Sequence, residues 1–151
     1  GPFRHAVLDG VLDPERTVQI GIRGSAEYLW EFSYDSGMTV IHAEEFAAQG
    51  VAKVIETARQ VIAGGRYYIS IDVDGIDPAF TPGTGTPEVG GLSPREVQAL
   101  LRGMVGAGTI VGGDVVEVAP EYDANTNTAQ VGAQMAFEIL SLMAADLGRT
   151  P

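Results

Sequence analysis

Apolar residues recur along this chain with two distinct periods. Between Val51 and Ala63, the residues Val51, Val54, Ile55, Ala58, Val61 and Ile62 fall at i, i+3, i+4, i+7 spacing. Lys53, Glu56, Arg59 and Gln60 take the remaining positions, so the segment reads as an amphipathic helix. Gly64-Gly65 stops it. A second helix is expected over Pro94 to Val105, with Val97, Leu100, Leu101, Met104 and Val105 as its apolar face. Its start is written in Ser93-Pro94-Arg95-Glu96: serine at the cap, proline at the first helical position and glutamate three residues after the serine. A third helix is expected over Thr128 to Asp146. Between these lie runs rich in β-branched and aromatic residues, at Thr17 to Arg23, Met38 to Ile41, Tyr67 to Asp74 and Thr109 to Val118, which predict strands. Strands alternating with helices predict an α/β fold, a parallel sheet covered on both faces in three α/β/α layers. No internal repeat or low-complexity linker interrupts the pattern, which predicts one domain over residues 1–151.

Composition narrows the function classes. The chain has 151 residues, 45% of them hydrophobic, enough for a buried core. Twenty acidic against nine basic residues leave a net charge of −11, which repels nucleic acid and anionic membranes and attracts cations. With no cysteine, disulfide scaffolds, thiolate zinc sites and cysteine nucleophiles are excluded. The chain shows no apolar run of the ~18 residues that a membrane span needs, and no charged-then-apolar leader. Together these predict no membrane partner and a cytoplasmic location.

The densest chemistry lies in Ser70-Ile71-Asp72-Val73-Asp74-Gly75-Ile76-Asp77-Pro78. The strand is expected to run through Asp74, so that Ser70, Asp72 and Asp74 share one face. Two carboxylates that close raise one another's pKa unless a cation or an arginine neutralises them, and hard divalent ions such as Mn²⁺ or Mg²⁺ suit oxygen ligands. Ligands of open α/β sheets gather beyond the carboxyl ends of the strands, where Glu117 and the loop after Arg23 also fall. A carboxylate closing so apolar a run as Val115-Val116-Glu117 needs a partner or a cleft.

Each of these residues has a plainer reading. Asp72 and Asp74 could cap the following turn, with Asp77-Pro78 as an Asx turn. A calcium loop is disfavoured by Val73 and Ile76 and by the preceding strand. Glu117 could pair with Arg23, and Asp114 has a structural role open to it. The Pro82 to Gly91 loop lacks the lysine and the following helix of a phosphate-binding loop. It reads instead as a rigid wall whose Thr84 and Thr86 bond backbone. His42 suits a helix start, and Tyr67 and Tyr68 suit the core.

The aspartate segment running into Pro82-Gly83-Thr84-Gly85-Thr86-Pro87 and then Gly90-Gly91 resembles the C-terminal signature of the ureohydrolases, the arginase and agmatinase family. Gly113-Asp114-Val115-Val116-Glu117-Val118-Ala119-Pro120, Asn127-Thr128-Ala129 and Ile20-Gly21-Ile22-Arg23-Gly24-Ser25 resemble its agmatinase and guanidinobutyrase branch. The resemblance implies an arginase-like fold, a pair of Mn²⁺ ions that activate water, and release of urea from a small cationic guanidino substrate. By it Asp72 and Asp74 are metal ligands, Glu117 holds the substrate guanidinium, and the enzyme is a homo-oligomer, a trimer or a hexamer. The family's upstream G-G-D-H and D-A-H-x-D motifs are not in this sequence, and His5 matches a segment just after the loop that carries the family's acid/base histidine. The chain is therefore expected to be the C-terminal portion, with no catalytic acid/base of its own. Gly24-Ser25-Ala26 stands where arginases carry an acidic residue for the α-amino group, so a guanidino acid or agmatine is expected rather than arginine. The alternative is a non-catalytic assembly or binding domain derived from such an enzyme.

Overall fold

The computed structural model describes residues 1–148. Its elements follow one another as α1 (Pro2–Leu8), β1 (Val18–Ile22), α2 (Glu31–Asp35), β2 (Thr39–His42), α3 (Ala43–Gln49), α4 (Val51–Ile62), β3 (Arg66–Asp72), α5 (Pro94–Gly103), β4 (Thr109–Val116) and α6 (Asn127–Leu147). All strand pairing is parallel, as the alternation predicts: β1 with β2, and β3 with β4. The two pairs form separate hydrogen-bonded sheets rather than one continuous ladder.

Helix boundaries follow local chemistry. α4 ends at Ala63, which adopts the left-handed region at φ 51°, with Gly64 left-handed after it. The capping box at α5 is formed in both directions between Ser93 and Glu96. Val54, Ala58 and Ile62 of α4, Val97 and Leu101 of α5, and Met135, Ile139 and Leu142 of α6 meet Ile41, Phe46 and Ile110 in one core, against which Tyr67, Ile69, Ile71 and Val115 pack. Tyr67 is thus a core residue, while its neighbour Tyr68 points the other way and is 54% exposed. Among the described residues no helix is long and apolar enough to cross a membrane.

The two sheets meet at their carboxyl ends. Gly21, at φ 87°, lies so close that a Cβ there would stand 2.9 Å from Leu92 Cδ1 and 3.6 Å from the Gly75 carbonyl. The end of β1 thereby abuts the turn that follows β3.

A buried carboxylate fastens α5 to α6. Glu138, 6% exposed, accepts from Arg102 Nε at 2.9 Å, Arg102 Nη2 at 2.6 Å, Gln134 Nε2 at 3.1 Å and Gln98 Nε2 at 3.2 Å. The Arg102 bonds, more than any other cause, hold its pKa below the ordinary carboxylate value. Folding therefore favours the ionised form. The stabilisation is complete above the unfolded pKa, near 4.5, and is lost as pH falls through the lower folded value. Glu138→Ala is expected to cost about 2–3 kcal/mol in denaturant unfolding at neutral pH, the scale of leaving buried donors unmatched. The gap between wild type and Glu138→Gln should close as pH drops below the ordinary carboxylate range. A pH-independent gap would show that the charge does not matter.

Candidate metal and substrate site

Register decides where the acidic residues stand. The β3–β4 ladder ends at the pair Asp72 and Val116. Asp72 is therefore the last residue of its strand, and Asp74 is not on the strand at all. It lies in a 3-10 turn over Val73–Gly75, whose N-cap is Asp72: the Asp72 carboxylate accepts from the Asp74 amide at 2.9 Å. The expected shared strand face is thus replaced by a strand end plus a turn, and the capping role holds alongside any role in binding. Ser70 and Asp72 do share a face. Ser70 Oγ, however, donates to Asp114 Oδ1 at 2.7 Å and Tyr68 Oη to Asp114 Oδ2 at 2.9 Å, so Asp114 ties side chains across the two strands.

Glu117 also lies beyond the ladder. It is exposed and has φ 65°, so the argument from burial in an apolar strand does not hold. A non-glycine residue at positive φ is strained, and such strain persists where the surroundings impose it. The backbone turns the side chain back over the loop: Oε2 lies 3.9 Å from the position a Cβ on Gly85 would take. Glu117 also lies near enough to Asp72 to act on its ionisation. Desolvation, above all, raises the Asp72 pKa; the like charges of Asp74 and Glu117 raise it further, against the bond from the Asp74 amide and the Arg23 charge. Asp72, Asp74 and Glu117 thus form an acidic mouth at the carboxyl end of the β3–β4 pair.

The pairing of Glu117 with Arg23 is not seen. The Arg23 guanidinium reaches backbone carbonyls instead, with Nη2 2.7 Å from Asp74 O, Nε 3.0 Å from Glu88 O and Nη1 3.2 Å from Gly21 O. It staples the end of β1 to the turn after β3 and to the far end of the loop. Nor do Thr84 and Thr86 bond backbone through their hydroxyls: Thr84 Oγ1 donates to Asp74 Oδ1 and Thr86 Oγ1 to Asp74 Oδ2. An ionised carboxylate offers about four lone-pair sites, so each oxygen keeps one free. The loop is closed by Asp77, whose Oδ1 accepts from Ala79 N at 2.9 Å and whose Oδ2 accepts from Gly90 N at 2.8 Å and Gly91 N at 3.1 Å. These bonds, the Ala79 amide foremost, hold the Asp77 pKa low, and the Asx turn expected there is present.

Sequence reasoning did not find the threonine clamp or the Arg23 staple. A signal was present for the first: Thr84 and Thr86 alternate in a loop stiffened by glycine and proline. His42 sits at the N-cap of α3, its amide donating to Glu45 at 2.9 Å and its Nδ1 3.2 Å from the Ile22 carbonyl. Its Nε2 is 2.5 Å from Tyr34 Oη.

The donor chemistry suits a hard divalent cation, since both aspartates offer oxygen only. The donor count is incomplete: among the described residues, no group of three or more histidine, cysteine, aspartate or glutamate side chains is placed to hold a metal ion.

Comparison with known proteins bears on the rest. The arginase family model matches residues 1–141. The chain is 50% identical over 151 residues to a guanidinopropionase of Pseudomonas aeruginosa, covering 99% of this chain and 47% of that protein. It is 46% identical over 144 residues to a mitochondrial agmatinase of Gallus gallus, covering 94% of this chain and 42% of the relative. The fold superposes on proclavaminate amidino hydrolase from Streptomyces clavuligerus with a TM-score of 0.89 at 40% identity, over 96% of this chain and 48% of the other. An arginase from Bacillus caldovelox superposes with a TM-score of 0.78 at 30% identity. The chain spans about half the length of the curated relatives it matches.

Proposed function

The chain belongs to the arginase family, and from that premise we propose that it is the C-terminal portion of a manganese-dependent amidinohydrolase that releases urea from a small cationic guanidino compound. One observation carries the reading: the convergence of Asp72, Asp74 and Glu117 at the carboxyl end of one strand pair, with Asp74 gripped from both sides by threonines. Asp72 and Asp74 would hold the cation, together with donors from outside this sequence. When bound, Mn²⁺ supplies the Lewis acidity that makes water a competent nucleophile near neutral pH.

This chain's residues would do the rest by placement. Glu117, turned back by its positive φ, presents a carboxylate to the planar guanidinium, where parallel N–H···O bonds orient the carbon to be attacked. The net charge of −11 draws a dication such as agmatine towards the mouth and orients the guanidinium end of a zwitterionic guanidino acid into it. The Pro82 to Gly91 segment walls the cleft and contains no lysine or arginine, and the nearby guanidinium of Arg23 is spent on carbonyls. Guanidino acids and agmatine are favoured over arginine, because Gly24-Ser25-Ala26 offers no carboxylate for an α-amino group. Assembly as a homo-oligomer and a cytoplasmic location belong to the same reading.

Metal analysis of the intact enzyme, joined to a urea-release screen over agmatine, 3-guanidinopropionate, 4-guanidinobutyrate and arginine, tests it. Manganese with turnover of one of the first three supports the proposal. A full-length protein without metal or urea release would instead favour a non-catalytic assembly domain.

A further inference from the structure

The amino terminus of α6 is built in an unusual way. Its N-cap, Thr126, has φ 62° and makes no side-chain cap bond. Asp123 caps the helix instead, its Oδ2 accepting from Thr128 N at 2.8 Å and from Ala129 N at 3.2 Å. Thr128 is fully buried, and its Oγ1 accepts from the Gly83 amide at 2.8 Å. The Gly83 carbonyl in turn accepts from Ala119 N at 2.8 Å. There is no slack at this point: a Cβ on Gly83 would stand 2.5 Å from Asp123 Cβ. Gly83 is thus held through both its amide and its carbonyl, and against Asp123. The next residue is Thr84, 3% exposed, whose hydroxyl is on Asp74.

We propose that Asp123 and Thr128 are positioning residues: they lock Gly83, and through it set the Thr84 and Thr86 hydroxyls that aim the Asp74 carboxylate at the cation. This rests on the metal-binding reading above but adds a path to it from the amino terminus of α6. Groups that orient a ligating carboxylate typically contribute about 10- to 100-fold to metal affinity.

Two readouts test this. Thr128→Val keeps the shape and removes the acceptor. Amide hydrogen exchange should show the Gly83 amide losing about tenfold in protection, the scale of one hydrogen bond, while Met135 to Leu142 in the middle of α6 keep theirs. Thr128→Ser should restore the loop. Equal loss over loop and helix, or none at Gly83, would mean that Thr128 serves the helix alone and would overturn the proposal. In the intact enzyme, titration with Mn²⁺ alone should then show about tenfold or more weaker binding for Thr128→Val. Thr84→Val should weaken Mn²⁺ as well, with Gly83 protection unchanged. Should Thr128→Val not fold, that second variant still decides: unaltered Mn²⁺ affinity in Thr84→Val would refute the path. An intact wild type that binds no Mn²⁺ sinks the functional reading, yet leaves the exchange result to stand or fall by itself.

Discussion

Asp72→Ala is expected to abolish Mn²⁺-dependent urea release by the intact enzyme, lowering kcat/KM by about three orders of magnitude or more. A metal's Lewis acidity is worth several kcal/mol at the transition state, and each ~1.4 kcal/mol is a factor of ten. The substitution also removes the N-cap of the turn that carries Asp74, so both aspartates are disturbed at once. Asp72→Asn separates the two effects. Asparagine caps as well as aspartate does, so Asp72→Asn should keep the melting behaviour of wild type while losing the charge that binds metal. Asp72→Ala should be about 1 kcal/mol less stable in addition. Metal content and turnover that survive in Asp72→Asn would remove this residue from the ligand set.

Glu117→Gln is expected to lower kcat/KM by about 10- to 100-fold, the value of a charge-assisted bond lost to a neutral one. If the carboxylate grips the guanidinium equally before and during reaction, the loss falls on KM with kcat little changed. Stability should not suffer, because the side chain is exposed. Glu117→Gly makes a sharper statement. Glycine is at ease at φ 65°, so this variant should be about 1 kcal/mol more stable while losing the same substrate affinity. Gain of stability with loss of function at one position is the signature of strain kept for a purpose. Equal KM values for wild type and Glu117→Gln would show that another group holds the substrate.

These predictions depend on features with unequal visibility in the sequence. Helices α4, α5 and α6 were legible because their signals are local: the period of Val51 to Ile62, the Ser93-Glu96 box and the Gly64-Gly65 stop act within a turn or two of chain, whereas the short α1, α2 and α3 were not among the expected elements. Strand identity was legible for the same reason, but strand ends were not. A strand stops where its partner stops, and the expected Tyr67 to Asp74 and Thr109 to Val118 runs are cut at the Asp72–Val116 pair because the parallel ladder has no further rung. That cut moved Asp74 into a turn and released Glu117 to a positive φ. The partners of Arg23, Thr84 and Thr86 lay further out of reach. Thr84 and Thr86 reach Asp74 across 10 and 12 positions of one irregular loop, and Arg23 reaches the Asp74 and Val89 carbonyls, 51 and 66 positions away, only because the ends of the two sheets approach.

Residue types and short-range order, taken alone, determined that this is a parallel α/β chain with paired aspartates near a strand's carboxyl end, and its motifs carried the resemblance to the arginase family. Tertiary structure alone decided how those oxygens are held: which of them leaves the strand, which backbone is strained, and which loop hydroxyls and helix terminus stand behind the carboxylate. The division follows the range of the forces. Propensity and periodicity act over a few residues, whereas the directions of side chains at a cleft are fixed by hydrogen bonds that close loops and so depend on the whole packed core.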